Sequence, residues 1–531
     1  VVNYSLSSFT LEDIDMDGTM AKSVRVPGIF LPNQEGAPDL AGNGKFIAVP
    51  EGAAVTLNIK ATRTELLQDV DIAPAPAIPL DTEPGPLQHI KDQDIYSTDQ
   101  YYPLEPVSLS ERFEIRGVDV VMLNITPFQY NPVSRELLVY RDLIVEVTFK
   151  GGTGIFGEER LRSRWWDPML QTTLINASSL PKVDYNVQQN NTDAEEYEYV
   201  IITPDLTDYI TWANTIKDFR IKQGINTGVV TTTEIGGNTV ANIEAYVNNA
   251  YNNWAQPPAA VLLLADYSTG SDGITSPFYT HVSSYPDFAS DNVFADVDGD
   301  DLPDIVFARM TARNATELET MITKFMDYET NPPTDFNFYD GPITALGWQT
   351  ERWFQICSEV VGGYFKHAQG KNPVRINTVY AGNPSSDPWS TAYNTSTVVN
   401  YFGPNGLGYI PATPQELGGF TGGTATDVVN AINAGSFMLQ HRDHGYYGGW
   451  GEPAFNTTHI GYLTNVNNEL PFIFSINCQT GAFHRSTECF AEKFHRRTYN
   501  GQNAGAIGII AATEVSYSFV NDTYISVSYT H

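Results

Sequence analysis

Cysteine is nearly absent from this sequence. Cys357, Cys478 and Cys489 are three in 531 residues, too few for a disulfide framework and odd in number, so at least one thiol stays outside any intramolecular bridge. Basic residues are scarce as well. Thirty Lys+Arg stand against 62 Asp+Glu, and the formal charge of −32 repels phosphate backbones and anionic membrane surfaces, which argues against nucleic acid as a partner. No apolar run is long enough for a membrane-spanning helix. What the chain does hold is core material: 42% hydrophobic and 12% aromatic residues exclude a disordered polypeptide, and the length suits about three domains. It opens on a β-like segment, Val1 to Leu6, with neither a charged n-region nor an apolar h-region, so any export signal is expected to have been removed already. Low Lys+Arg with 32 Pro, 42 Gly and many Asn/Thr-rich loops fits a secreted or cell-surface protein.

Apolar periodicity divides the chain. Up to about residue 150 it alternates, as in Val118, Val120, Met122 and in Leu143, Val145, Val147, Phe149, which predicts a half-buried antiparallel sheet. The proline- and acid-rich stretch Asp71 to Gln100 has no periodicity and is expected to be a surface excursion from that sheet. A basic-aromatic patch, Arg160 to Trp166, precedes a polar run that reads as a linker over 184–196. Beyond it, apolar strands alternate with helical stripes, the pattern of a doubly wound α/β fold. The predicted organisation is a β-rich domain over 1–183, the linker, a first α/β subdomain over 197–340 and a second over 341–531.

Two strand ends carry residues suited to covalent chemistry. Ser436 to Gln440 runs into His441-Arg442-Asp443-His444-Gly445, and Leu470 to Asn477 delivers Cys478 at its tip. Ligands and catalytic groups of α/β sheets collect at the carboxyl ends of the strands. There a thiolate serves as nucleophile and an imidazole takes its proton and returns it to the leaving amine. Gly445 lets a backbone N–H approach a scissile carbonyl, and with the Cys478 N–H it would form an oxyanion hole. His441 and His444 are spaced H-x-x-H, but no further His or Cys nearby completes a zinc site.

The order and spacing of these pieces resemble the gingipain family of cysteine peptidases. The matching run is His444-Gly445, Leu470-Pro471-Phe472-Ile473-Phe474, Cys478, Cys489-Phe490-Ala491-Glu492 and Gly505 to Thr513. The resemblance implies a caspase-like fold of two doubly wound α/β subdomains behind an antiparallel all-β pro-domain, with Cys478 as nucleophile, His444 as general base and Cys489 outside the chemistry. It also reaches Ala345 to Glu351, which points to Glu351 as the acid that orients His444, and Ile125 to Pro132 in the pro-domain. Two departures stand out. This chain runs 53 residues past Cys478, where family members continue for about a hundred, so the sheet is expected to lack its last elements. Near Gly362-Gly363 it has no counterpart of the acid used by arginine-cutting members, which speaks against trypsin-like specificity.

The acidic loop Asp296 to Asp304 offers oxygens at alternate positions, with Asp296, Asp298, Asp300 and Asp304 as ligands for a hard cation. The resemblance favours calcium there. Asp13 to Gly18 reads instead as a hairpin turning at Asp17-Gly18. The expected function is a secreted cysteine endopeptidase in pro-form, acting on protein or peptide substrates and inhibited by its own pro-domain. Its inhibitory element is expected between Gly151 and Lys182, whose basic residues face an acidic catalytic part. The alternative is a non-catalytic surface or assembly protein that has kept the peptidase scaffold.

Overall fold

The computed structural model describes all residues except 17, 84–86, 186–195, 282–285 and 525–531. Most of the predicted linker therefore lies outside the described residues, as does Asp17 of the predicted hairpin turn. The hairpin itself forms, Thr10–Met16 pairing antiparallel with Thr19–Arg25 and Gly18 taking a positive φ of 91°.

The N-terminal region folds as two antiparallel sheets face to face. One is built on the long strand Glu136–Lys150, flanked by Val2–Ser5 and Ala54–Leu67; the other is built on Val118–Ile125, flanked by Asn43–Ala48 and Val107–Leu109. Their alternating apolar residues meet in one core, Leu143 and Val145 of the first against Val121, Leu123 and Ile47 of the second. Strict alternation has this result because side chains two apart point to the same face.

Two parallel sheets follow. The first has the strand order Thr227–Thr231, Tyr199–Thr203, Ala260–Leu264, Val306–Met310. In the second the order is Val374–Ala381, Ile343–Gln349, Met438–Arg442, Phe472–Ile476, Gly508–Ala511. Central strands of such sheets are covered on both faces, which is why they read as unbroken apolar runs. Ile343, Ala345, Leu439 and Ile473 accordingly lie in one buried cluster with Val428, Ile432 and Phe490 of the covering helices. In the second sheet the chain steps outward to 374–381 and then returns to the other side of 343–349. Between 343–349 and 438–442 lies the topological switch point, where the carboxyl ends open a crevice.

The first part of the stretch from Asp71 to Gln100 departs from expectation, whereas 87–100 is half-buried or exposed, as a surface excursion should be. Ile72, Ala73, Ala75, Leu80 and Asp81 are buried, because this extended segment threads between the β-region and the second α/β subdomain. Prolines suit it, since a chain already extended loses less freedom on docking. Elsewhere the β-region also holds the second subdomain through Phe30 against Tyr401 and Phe402 and through Asp39 accepting from the Tyr393 hydroxyl at 2.8 Å.

Candidate active site

His444 and Cys478 stand at equivalent places past neighbouring strand ends. Met438–Arg442 pairs in parallel with Phe472–Ile476, Arg442 lying opposite Ile476, and each candidate follows its paired residue by two positions. Gly445 closes the gap between them: a Cβ there would lie 2.8 Å from the Cys478 carbonyl oxygen and 2.7 Å from Asn477 Oδ1, so the approach requires glycine. The structure thus brings His444, Gly445 and Cys478 together.

The neighbours of these residues fix their positions. His441, buried in the strand, stacks on Trp450 with ring centroids 4.0 Å apart. Its Nε2 donates to the Glu452 carbonyl at 3.1 Å, which leaves Nδ1 to accept from Asn477 Nδ2 at 2.7 Å. Burial pushes the His441 pKa down to about 3, so the ring is neutral and this pattern is stable. Asn477 is held from its other side by Thr480 Oγ1 at 2.7 Å, and the residue before the candidate nucleophile is locked on both sides. Asp443 points over Gly347, where a Cβ would lie 2.2 Å from its carboxyl carbon, and accepts the Glu452 N–H at 2.6 Å. Burial raises the Asp443 pKa to about 8.

His444 itself meets Gln349 rather than the expected acid. Gln349 Oε1 accepts from Nε2 at 2.8 Å, so Nε2 carries the proton and Nδ1 is the free base. Phe354 and Tyr380 pack on the ring, with centroids 5.3 and 4.8 Å away. Glu351 is exposed, two residues beyond the end of Ile343–Gln349. The strand's last residue is the one whose side chain stays in the crevice, whereas the turn after it carries Glu351 out to solvent. The orienting contact therefore belongs to an amide, and the sequence signal for it was the strand boundary itself.

Cys478 is buried and covered. Its Sγ accepts the Ser516 N–H at 3.5 Å and lies 3.8 Å from Ser516 Oγ, while Leu80 of the N-terminal region packs with it and Val515. Burial raises the thiol pKa to about 11, with the Asp81 carboxylate adding to the shift. The same burial lowers His444 to about 4, against the opposite pull of Asp81. In this form both groups are neutral.

The covering segment is 79–83. Asp81 N donates to Ser516 O at 2.8 Å and Ser518 N donates to Pro79 O at 3.0 Å, so the segment adds an antiparallel strand to 516–518. Asp81 and Arg442, both fully buried, form a bidentate ion pair with distances of 2.8 and 2.9 Å. Past Asp81 the chain bends back, Glu83 N donating to Leu80 O at 3.0 Å and the Glu83 carbonyl accepting from Arg352. The region from Gly151 to Lys182, expected to cover the crevice, instead docks elsewhere. Arg160 reaches the carbonyls of Tyr251 and Trp254, Arg164 that of Gly224 and the Trp166 indole that of Ala259, all on the first α/β subdomain. The basic patch thus packs against the first α/β subdomain, as anticipated, mainly through backbone carbonyls and with an ion pair, Arg164 to Glu198 at 3.3 Å.

In the acidic loop, carboxylate oxygens of Asp296, Asp298 and Asp304 come within 4.8 Å of one another. Asp300 is not one of the three; its Oδ1 accepts the Leu302 N–H at 2.9 Å and its buried Oδ2 has no partner among the described residues. Asp298 is pushed up to about 6 by burial and by Asp304, Asp300 and Asp296. Glu114 of the N-terminal region, raised to about 7 by burial and then by Asp298 and Asp304, faces the same loop. Three converging carboxylate oxygens suit a hard divalent ion, with the Arg116 guanidinium already acting on Asp304.

Family models match most of the chain. The one described as peptidase family C25 matches residues 192–531, and the one described as the C25 propeptide matches residues 1–159. Gingipain R2 of Porphyromonas gingivalis is 25% identical over 493 residues, covering 91% of this chain and 59% of the relative. Lys-gingipain of the same organism is 22% identical over 543 residues, 99% of this chain and 28% of the relative. The chain thus spans less than two thirds of the curated relatives it matches. Among solved structures, the Arg specific cysteine proteinase gingipain R aligns with a TM-score of 0.46 and 22% identity over 62% of this chain and 66% of that one. A complex of pro- and mature domains from Porphyromonas gingivalis aligns with the same score at 21% identity, over 61% of this chain and 66% of that one.

Proposed function

The chain belongs to peptidase family C25 and carries that family's propeptide ahead of its catalytic region, and from that premise we propose that it is a latent cysteine endopeptidase working through Cys478 and His444. One observation carries the reading: thiol and imidazole occupy register-equivalent positions past two adjacent parallel strands, with a glycine fitted between them.

His444 Nδ1 takes the Cys478 proton, and the thiolate attacks the substrate carbonyl carbon. The resulting oxyanion accepts from the N–H groups of Gly445 and Cys478. As the C–N bond breaks, the amine leaves with the proton from His444 and the acyl group stays as a thioester. Water then attacks the thioester, giving its proton to His444, and the acid departs as the thiol is restored. Gln349 holds the imidazole in the tautomer this sequence needs.

The pro-domain is the inhibitor through residues 79–83. Excluding water from the site keeps the thiol protonated and the imidazole neutral, which is the wrong state for attack. Asp296, Asp298 and Asp304 are proposed to hold a structural calcium ion, and the protein is proposed to act outside the cell. Among the described residues no helix is long and apolar enough to cross a membrane.

The test is hydrolysis of a peptide library by the full chain after limited digestion has removed the pro-domain. Cys478→Ala and His444→Ala should each abolish cleavage with the fold retained, and the double variant should lose little more, since the pair acts as one unit. No cleavage by the unmodified protein, with equally slow alkylation of all three cysteines, would instead assign the chain to the non-catalytic scaffold.

A further inference from the structure

On the peptidase reading above, we infer that the crevice selects an acidic residue immediately before the cleaved bond, with Arg442 as the specificity-determining side chain and Asp81 of the pro-domain seated where a substrate aspartate would sit. This is the reverse of a basic preference.

The backbone contacts place Asp81 in a substrate's position. An extended peptide bound to 516–518 by N–H to carbonyl contacts on alternate residues is strand addition, a general way of holding a chain beside a nucleophile. Asp81 and Pro79 make those two contacts, while Leu80 between them packs with Cys478. Asp81 is therefore the last residue held before the thiol, and the bond after it, to Thr82, is the one in register for attack. The turn from Leu80 to Glu83 bends the chain away at that point, so the segment fills the crevice without presenting an extended bond.

The pocket is built for a carboxylate. All five N–H bonds of Arg442 are engaged: two on Asp81, two on Asp522 and one on the Ile476 carbonyl. Asp81 receives two further donors, Ser518 Oγ at 2.7 Å on one oxygen and Asn521 Nδ2 at 3.2 Å on the other. Phe354 lies under the guanidinium, its ring centroid 4.0 Å away, and helps exclude water. Removing the pro-domain leaves two buried guanidinium N–H bonds, a hydroxyl and an amide without acceptors. Arg352, buried with its Nε unpartnered, adds a second positive charge close enough to act on both Asp81 and Asp522. Besides Asp81, Arg352 acts on Asp522 and on exposed Glu351, while Arg442 keeps an edge of two N–H donors that no other carboxylate reaches. A planar carboxylate satisfies it in both geometry and sign. An asparagine would turn an NH2 toward a guanidinium, and lysine or arginine would bury like charges together.

The experiment uses the full chain after limited digestion, with Ile-Pro-Leu-Asp, taken from residues 78–81, coupled to a fluorogenic leaving group. Matched peptides end in Asn, Arg or Lys, and each sequence is also made as an acyloxymethyl ketone that alkylates the thiol. The Asp peptide should exceed the others by about 10⁴-fold in kcat/KM, the range expected when a buried polar site is left unpaired. Its ketone should label Cys478. Arg442 also anchors Asp522, so Arg442→Met risks misfolding; Ser518→Ala and Asn521→Leu each remove one donor instead. Either should lower kcat/KM for the Asp peptide by about tenfold, mainly through KM, with melting temperature unchanged. Equal or faster cleavage after Arg, Lys or Asn overturns the inference while leaving the peptidase intact. Failure of every ketone to label Cys478 removes the peptidase reading and this one with it.

Discussion

Asp81 and Arg442, 361 positions apart in sequence, close a buried bidentate ion pair that pins the pro-domain directly over the thiol. On the proposed function the pair links latency to stability, because the contact that covers the crevice is fully desolvated on both sides. Four donors converge on the Asp81 carboxylate, and although burial pushes its pKa up, Arg442 and Ser518 hold it below the usual carboxylate range.

Asp81→Asn should therefore destabilise the full chain by about 3–5 kcal/mol near neutral pH, the cost of leaving a buried charge without its partner. A depressed carboxyl pKa gives stability that is complete above the ordinary value of 3.8 and lost as pH falls through the lower folded value. Urea unfolding of the two proteins should thus differ at pH 7 and converge below pH 4. At pH 7 the variant's Cys478 should also react faster with an alkylating reagent.

The two candidate partners of His444 are separable. Gln349→Leu removes the acceptor at Nε2 and should cost about tenfold in kcat, the equivalent of one hydrogen bond. Glu351→Gln alters an exposed side chain and should change kcat by less than about twofold. The reverse ranking, measured on the digested protein, would return the orienting role to the acid.

Calcium should raise the melting temperature by mass action on the folded state. Asp298→Asn should lose most of that response, since the ion would replace the repulsion that now lifts the Asp298 pKa to about 6. A melting curve unchanged from chelator to millimolar calcium makes the loop a solvated turn.

His441 supplies a pH test of the network behind the nucleophile. Its pKa falls from 6.5 to about 3 on folding, so below 6.5 the unfolded chain binds a proton that the folded one refuses. Stability from this group is complete above 6.5 and is lost as pH falls toward 3, on the order of a few kcal/mol. His441→Gln has no such loss, and its stability deficit relative to the unmodified protein should shrink steadily with acidity in chemical denaturation.

Much of the architecture was legible in the sequence because it rests on local patterning. Apolar runs such as Ala260 to Leu264 and Phe472 to Ile476 needed no partner to be read as buried strands, and both fold as such. The strand Val306–Met310 was not anticipated, since it is half exposed and its apolar run, Ile305 to Ala308, is short and follows directly on the acidic loop. His444, Gly445 and Cys478 were also readable, because strand ends of this fold collect reactive groups and the spacing allowed neighbouring strands.

Which acid, arginine and amide meet at the crevice was not a local property. Asp81 sits in a stretch whose prolines and acids look solvated by composition, and only docking against 516–518 buries it. Glu351 and Gln349 differ by two positions, and the point at which Ile343–Gln349 leaves the sheet decided between them. The sequence by itself determined the layers, the place of His444 and Cys478 at neighbouring strand ends and the excess of negative charge, all set by residue type and short-range period. Tertiary structure alone decided how the site is closed, because a buried ion pair depends on two side chains being desolvated together, and no spacing along the chain encodes that.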